Sequence, residues 1–182
     1  MKYIEYLWVV PFMPLGLKQT SSPIAIGFRT TESGANTFTQ SSVDLNLSPL
    51  DREVFVVLGI NIDPFTPDAL AATDTAVTSA VTTTSQTSVV GLDNANCLAV
   101  GQTIIKSAGY LDGGVSFQTT GLETPPSMME YIGIIATNDF FVSVEGAGNL
   151  NARGVTGKLY GYRARASADI YAALVQSEVL SV

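Results

Sequence analysis

Alternation of apolar and polar side chains is the strongest signal along this chain. From Thr37 to Leu47 the sequence starts polar and then sets Val43, Leu45 and Leu47 against Asp44 and Asn46, which predicts a half-buried strand. Arg52 to Ile62 repeats the pattern with larger side chains. Val54, Val56, Leu58, Ile60 and Ile62 line one face and Phe55 and Val57 the other, as expected of a central strand, and Asp63-Pro64 stops it. Thr66 to Ala72 reads as one helical turn with Pro67 at its first position. Thr73 to Val90 is dense in Thr, Ser and Val. Val77, Val81 and Val89 share one parity and Asp74, Thr78, Thr82 and Gln86 the other, so one long strand, or two joined by a bend, fits.

The period changes at Asn96 to Gly109. Leu98, Ile104, Ile105 and Ala108 fall on one helical face, with Asn96 as N-cap and Gly109 as stop, which predicts a short helix. Met129 to Ala136 and Phe140 to Glu145 read as paired strands around the turn Thr137-Asn138-Asp139. In the second, Phe140, Val142 and Val144 face in, while Ser143 and Glu145 face out. Val155 to Ala166 is another strand, with glycines at 157 and 161 that suggest bulging or close backbone approach. Tyr171 to Val182 suits either period, and a strand closing a sheet is preferred. The sum is an all-β fold: an eight-stranded jelly-roll-type β-sandwich with one short helix. Its expected core lies on Val54, Val56, Leu58, Ile60 and Ile62 and on Phe140, Val142 and Val144.

The N-terminus stands apart. Residues 1–22 are expected to form an extended apolar arm and residues 23–182 the sandwich domain. Tyr6 to Leu17 reads YLWVVPFMPLGL: Pro11 and Pro14 deny it a regular helix, and it is shorter than the roughly 20 apolar residues of a membrane span. Glu5 in place of a positive flank, and the lack of a small-x-small site, argue against a cleaved leader. Tyr6, Leu7, Trp8, Val9, Phe12, Met13 and Leu15 cannot all face water. They pack on their own domain or on a neighbour, and they are the candidate subunit interface.

Composition adds constraints. Charged residues are 14% of the chain against about 25% in an average soluble domain, which fits either a protein that associates with partners or a secreted domain with a Thr/Ser/Asn surface. The net charge of −7, with nine Lys and Arg, supplies no basic stripe for phosphates, so no direct tight nucleic-acid binding is expected. Arg163 and Arg165 share a strand face and are expected to meet Asp or Glu across a sheet or an interface. Cys97 is the one cysteine, so no intramolecular disulfide forms, and its apolar run reads as buried. The chain has no histidine, which removes Ser-His-Asp and Cys-His devices and the usual zinc site. Asp139 with Glu145 is the candidate glycosidase pair, and Asp93-Asn94-Asn96, or Asp63 with Asp68, the candidate calcium ligands. Solvated carboxylates and turn-forming roles account for all of them. No catalytic, cofactor-binding or metal residues are therefore assigned, no cofactor is expected, and the chain is read as not an enzyme.

The arm YLWVVPFMPLGL, the strand REVFVVLGINI, the segment MEYIGIIATNDFFVSVEG and the closing GKLYGYRARA together resemble the single jelly-roll capsid proteins of icosahedral viruses. The resemblance implies a structural coat subunit, found in the virion, whose partners are copies of itself in a symmetric oligomer. It departs from many such proteins in having an apolar arm where they carry a basic, genome-binding tail. Genome contact is then expected to pass through another virion protein or an internal membrane. The alternative is an extracellular or cell-surface β-sandwich that binds carbohydrate or a receptor, as in a fibre or adhesin, with Tyr160 and Tyr162 as its stacking platform.

Overall fold

A computed structural model describes residues 14–107, 109, 114–121 and 130–180. Among these described residues, ten strands run in chain order: β1 (Leu17–Gln19), β2 (Ile24–Thr31), β3 (Thr39–Asp44), β4 (Glu53–Pro64), β5 (Thr75–Thr82), β6 (Cys97–Lys106), β7 (Val115–Gly121), β8 (Gly133–Ile135), β9 (Asp139–Ala147) and β10 (Gly154–Ala166). A 3-10 turn, Pro49–Asp51, precedes β4, and one helix, α1 (Ala168–Leu180), follows β10.

The strands form two five-stranded antiparallel sheets. One is ordered β1-β10-β4-β8, with β2 continuing the β1 edge along β10; the other is ordered β3-β9-β5-β6-β7. Setting aside β1 and β7, the pairs are β2 with β10, β3 with β9, β4 with β8, and β5 with β6. First pairs with last, second with second-to-last, and so on inward to a central hairpin. That is a long hairpin wrapped into a two-sheet barrel, the jelly roll.

The core between the sheets is built on Phe28, Phe55, Val57, Ile60, Ile62, Val77, Val81, Phe140, Val142, Val144, Val155 and Leu159. Phe55 and Phe140 are fully buried, each stabilising the fold by about 1.5–3 kcal/mol relative to exposure. A second, smaller core lies on the outer face of the first sheet. There Val54, Val56, Tyr162, Ala164 and Ala166 pack under Ile170, Tyr171, Leu174 and Val175 of α1.

Strand β4 serves both cores, and a bulge divides it. Gly59 pairs with Tyr160 and Val57 with Gly161, so Leu58 is the extra residue. Before it the even positions, Val54 and Val56, face α1; after it the even positions, Ile60 and Ile62, face the sandwich core. The expectation of one continuous face over Val54, Val56, Leu58, Ile60 and Ile62 is corrected accordingly. Leu58 itself is half-buried. Gly157 and Gly161 do have rings against their backbone: a side chain at either would run into Phe28 or Phe55, respectively.

Five expected elements differ. Thr73–Val90 is neither one long strand nor two: strand β5 ends at Thr82, and residues 83–90 form no strand. Asn96–Gly109 is not a helix but strand β6. Its inward positions Ala99, Gly101, Thr103 and Ile105 are mostly small because Gly101 lies against Ile62 and Pro64, and small residues mask a period of two. The closing segment is helix, not strand: Ile170, Tyr171, Leu174 and Val175 recur at helical spacing and cover the second core. Thr66–Ala72 has no helical turn; Ala71 and Ala72 form a plain turn, with Ala72 at φ 56°. β8 and β9 do not pair with each other. β8 joins β4, and β9 runs between β3 and β5, so Thr137-Asn138 carries the chain from one sheet to the other rather than round a hairpin. The arm expected over residues 1–22 is already part of the sheet from Leu17, where β1 joins β10.

Candidate assembly surface

The arm is fastened at one corner of the sandwich. The Leu17 N–H donates to Pro14 O at 3.1 Å, and the Ser167 N–H donates to Gly16 O at 3.0 Å, where β10 gives way to α1. Gly16 takes φ +82°, and a side chain there would strike Ile170, so glycine is required by both conformation and space. Leu17, opposite Ala166, is buried in the second core. Leu15, two residues earlier, is 95% exposed. At the same end, Leu50 projects from the 3-10 turn with 98% exposure, beside an Asp51–Arg165 ion pair of 3.1 Å. Of the interface residues expected from sequence, Leu15 is thus exposed at the arm's exit; Tyr6, Leu7, Trp8, Val9, Phe12 and Met13 lie outside the described residues.

The opposite end is closed by a polar network that sequence reasoning missed. Glu32 is buried, and its carboxylate accepts N–H bonds from Gly146 (2.6 Å), Thr37 (3.0 Å) and Arg153 (2.7 Å). Asn149 donates to Ala76 O and accepts from Asp68 N–H. Asp68 in turn accepts from Leu150 and Asn151 N–H and pairs with Arg153. Each of these side chains sits in a turn segment of ordinary composition, so nothing in the sequence marks it as part of a network.

The residues singled out for chemistry are dispersed. Asp139 and Glu145 stand six residues apart on β9, about 20 Å at strand rise, far beyond the carboxyl separation of a glycosidase. Asp68 is engaged as above, and the Asn94 side chain accepts the Asn96 N–H in a turn. Among the described residues no cluster of three or more His, Cys, Asp or Glu is placed to hold a metal. Cys97 is half-buried rather than fully so. Burial pushes its thiol up to about 11, with a lesser push from Asp93, so it is protonated at neutral pH.

Tyr160 and Tyr162 share the outer face of β10, but only Tyr160 is open. Tyr162 lies in the second core, where burial, then Glu130 and Tyr131, push its hydroxyl pKa up. The two rings do not form a stacking platform. Arg165 meets Asp51 as expected, whereas Arg163 donates to Leu45 O at 2.9 Å.

The outer face of the second sheet is partly roofed by residues 83–96. Gln40 Oε1 accepts from Ser85 Oγ (2.8 Å) and Gln86 N–H (3.2 Å), and Thr83 N–H donates to Asn96 O. A shallow, mostly apolar hollow of about 260 Å³ remains between Thr83–Ser85, Phe141 and Glu178. Glu178 is buried there, accepting N–H bonds from Ala136 (2.9 Å) and Thr137 (3.0 Å), which ties the end of α1 to the β8–β9 crossing; burial pushes its carboxyl up.

No protein family and no curated protein matches the chain. Among solved structures, a chain of Desmodium yellow mottle tymovirus aligns over 86% of this chain and 96% of its own, at 13% identity and a TM-score of 0.30. The jelly roll itself is identified by the strand order described above.

Proposed function

We propose that this chain is a structural subunit that assembles with copies of itself into a closed shell, as a viral capsid protein, and that it works without catalysis. The observation that carries the reading is the fastening of the apolar arm at Gly16–Leu17, on an exposed corner of a complete jelly roll. The sandwich already closes its own core, so Leu15, 95% exposed beside that anchorage, gains most by burial on a neighbour. The low charge density supports this by lowering the repulsion between copies. The dispersal of Asp139, Glu145 and Asp68 supports a non-catalytic role. On this reading the protein resides in the virion, and its genome contacts are indirect.

Light scattering on the purified full chain, with negative-stain microscopy, tests this. Closed particles or a discrete symmetric oligomer are expected. A monomer at every concentration overturns the reading.

A further inference from the structure

Each sheet ends in strands whose outward N–H and C=O groups have no ladder partner among the described residues. Such an edge is a template for another chain, and folded proteins blunt it with charge, proline or brevity. Three of the edges here are blunted. β8 is three residues long. The β1/β2 edge is broken at Thr20–Pro23 and carries Lys18 and Arg29. β3 ends in Asp44, and its Gln40 is tied to Ser85 and Gln86.

The edge of β7 has none of these devices. Its seven residues read VSFQTTG, without charge or proline, in a chain of net charge −7. Side chains from Val115 to Thr119 are exposed on both faces, Val115 at 51% and Phe117 at 54%. β7 is also additional to the eight strands that close the jelly roll, so the core does not require it.

We propose that β7 is a self-pairing edge: β7 of one copy pairs antiparallel with β7 of a second copy across a twofold axis near Gln118, joining two five-stranded sheets into one. This rests on the self-assembling reading above and names one of its contacts. In that register Phe117 of each copy stands opposite Thr119 of the other, an aromatic beside a β-branched residue, with no like charges opposed. On β6, Ile104 pairs with Phe117 and extends the apolar strip behind it. A twofold contact uses the same patch on both copies and closes on itself, so it gives a dimer and not a fibre.

Hydrogen exchange on the full chain tests this, with Phe117→Lys and Val115→Lys as exposed substitutions whose folding is checked by circular dichroism. In assembled wild type, the outward amides of β7 are expected to exchange at least about tenfold more slowly than in either variant. Protein lacking residues 1–15 is expected to stop at dimers in which β7 stays protected. Equal exchange in wild type and variants overturns the proposal, as do monomers of the truncated protein or a loss of β7 protection on truncation, which would make the arm the partner of this strand. A monomeric wild type contradicts both this contact and the assembly reading; an assembled wild type with unprotected β7 contradicts this contact alone.

Discussion

Phe28 of β2 and Phe140 of β9 meet edge to face across the two sheets, with ring centroids 6.0 Å apart and planes at 78°. Phe140 is fully buried, and Phe28 lies over the bare backbone of Gly157, so the pair joins the layers where no strand ladder does. Phe140→Ala should cost about 3–5 kcal/mol. A double-mutant cycle with Phe28→Leu, read by chemical denaturation, should show a coupling of about 0.5–1.5 kcal/mol. Additive effects would place the rings apart.

The bulge at Leu58 predicts unequal neighbours on β4. Ile60, buried in the sandwich core, should cost about 2–5 kcal/mol when cut to alanine. Leu58, half-buried against the second core, should cost distinctly less. Equal losses in thermal melts would mean that the strand runs unbulged and both side chains share one face.

Glu178 gives a pH dependence with a definite sign. An unfolded glutamate titrates near about pH 4.3, and burial raises the folded-state value above that, against the opposing hydrogen bonds from Ala136 and Thr137. The folded protein therefore keeps this proton to higher pH than the unfolded chain. Its contribution is fully present below about pH 4.3 and is lost as pH rises through the folded-state value. Measured against Glu178→Gln, the wild-type melting temperature should fall across that window. A difference that stays constant with pH would show that Glu178 titrates as in the unfolded chain.

The cations give a prediction about nucleic acid. Of nine Lys and Arg, Lys106, Arg153 and Arg165 pair with Asp74, Asp68 and Asp51, and Arg163 turns to a carbonyl; the rest are set against a net charge of −7, which leaves little positive field for phosphates. Any binding to DNA or RNA should vanish by about 200 mM salt. Filter binding that survives there would contradict indirect genome contact.

The strand most legible in the sequence is one whose apolar side chains are large and alternate, Phe140–Val144; the alternation of Val43, Leu45 and Leu47 runs past β3, which ends at Asp44, and Asn46 takes φ 50°. Legibility failed where a second requirement overlay the pattern. In β6 the tight approach of Gly101 to Ile62 thinned the inward face to small residues, and the remaining leucine and isoleucines mimicked a helix. In α1 the alanines and Leu180 spread apolar character round the helix, hiding the stripe of Ile170, Leu174 and Val175. In β4 a single bulge reversed the facing without leaving a mark in composition. At the candidate site the arm's apolar character was plain from Tyr6 to Leu15, but its anchorage was not. That depends on the positive φ of Gly16 and on a bond from Ser167, which meet only once the chain is folded.

If the arm joins subunits, the full chain must behave differently from a version lacking residues 1–15, which keeps Gly16 and β1. Light scattering after size exclusion should find a large closed assembly for the full chain. The truncated protein should keep a β-type circular dichroism spectrum and go no further than a dimer. A truncated protein that assembles as the full chain does, or that unfolds, would contradict an inter-subunit role for the arm.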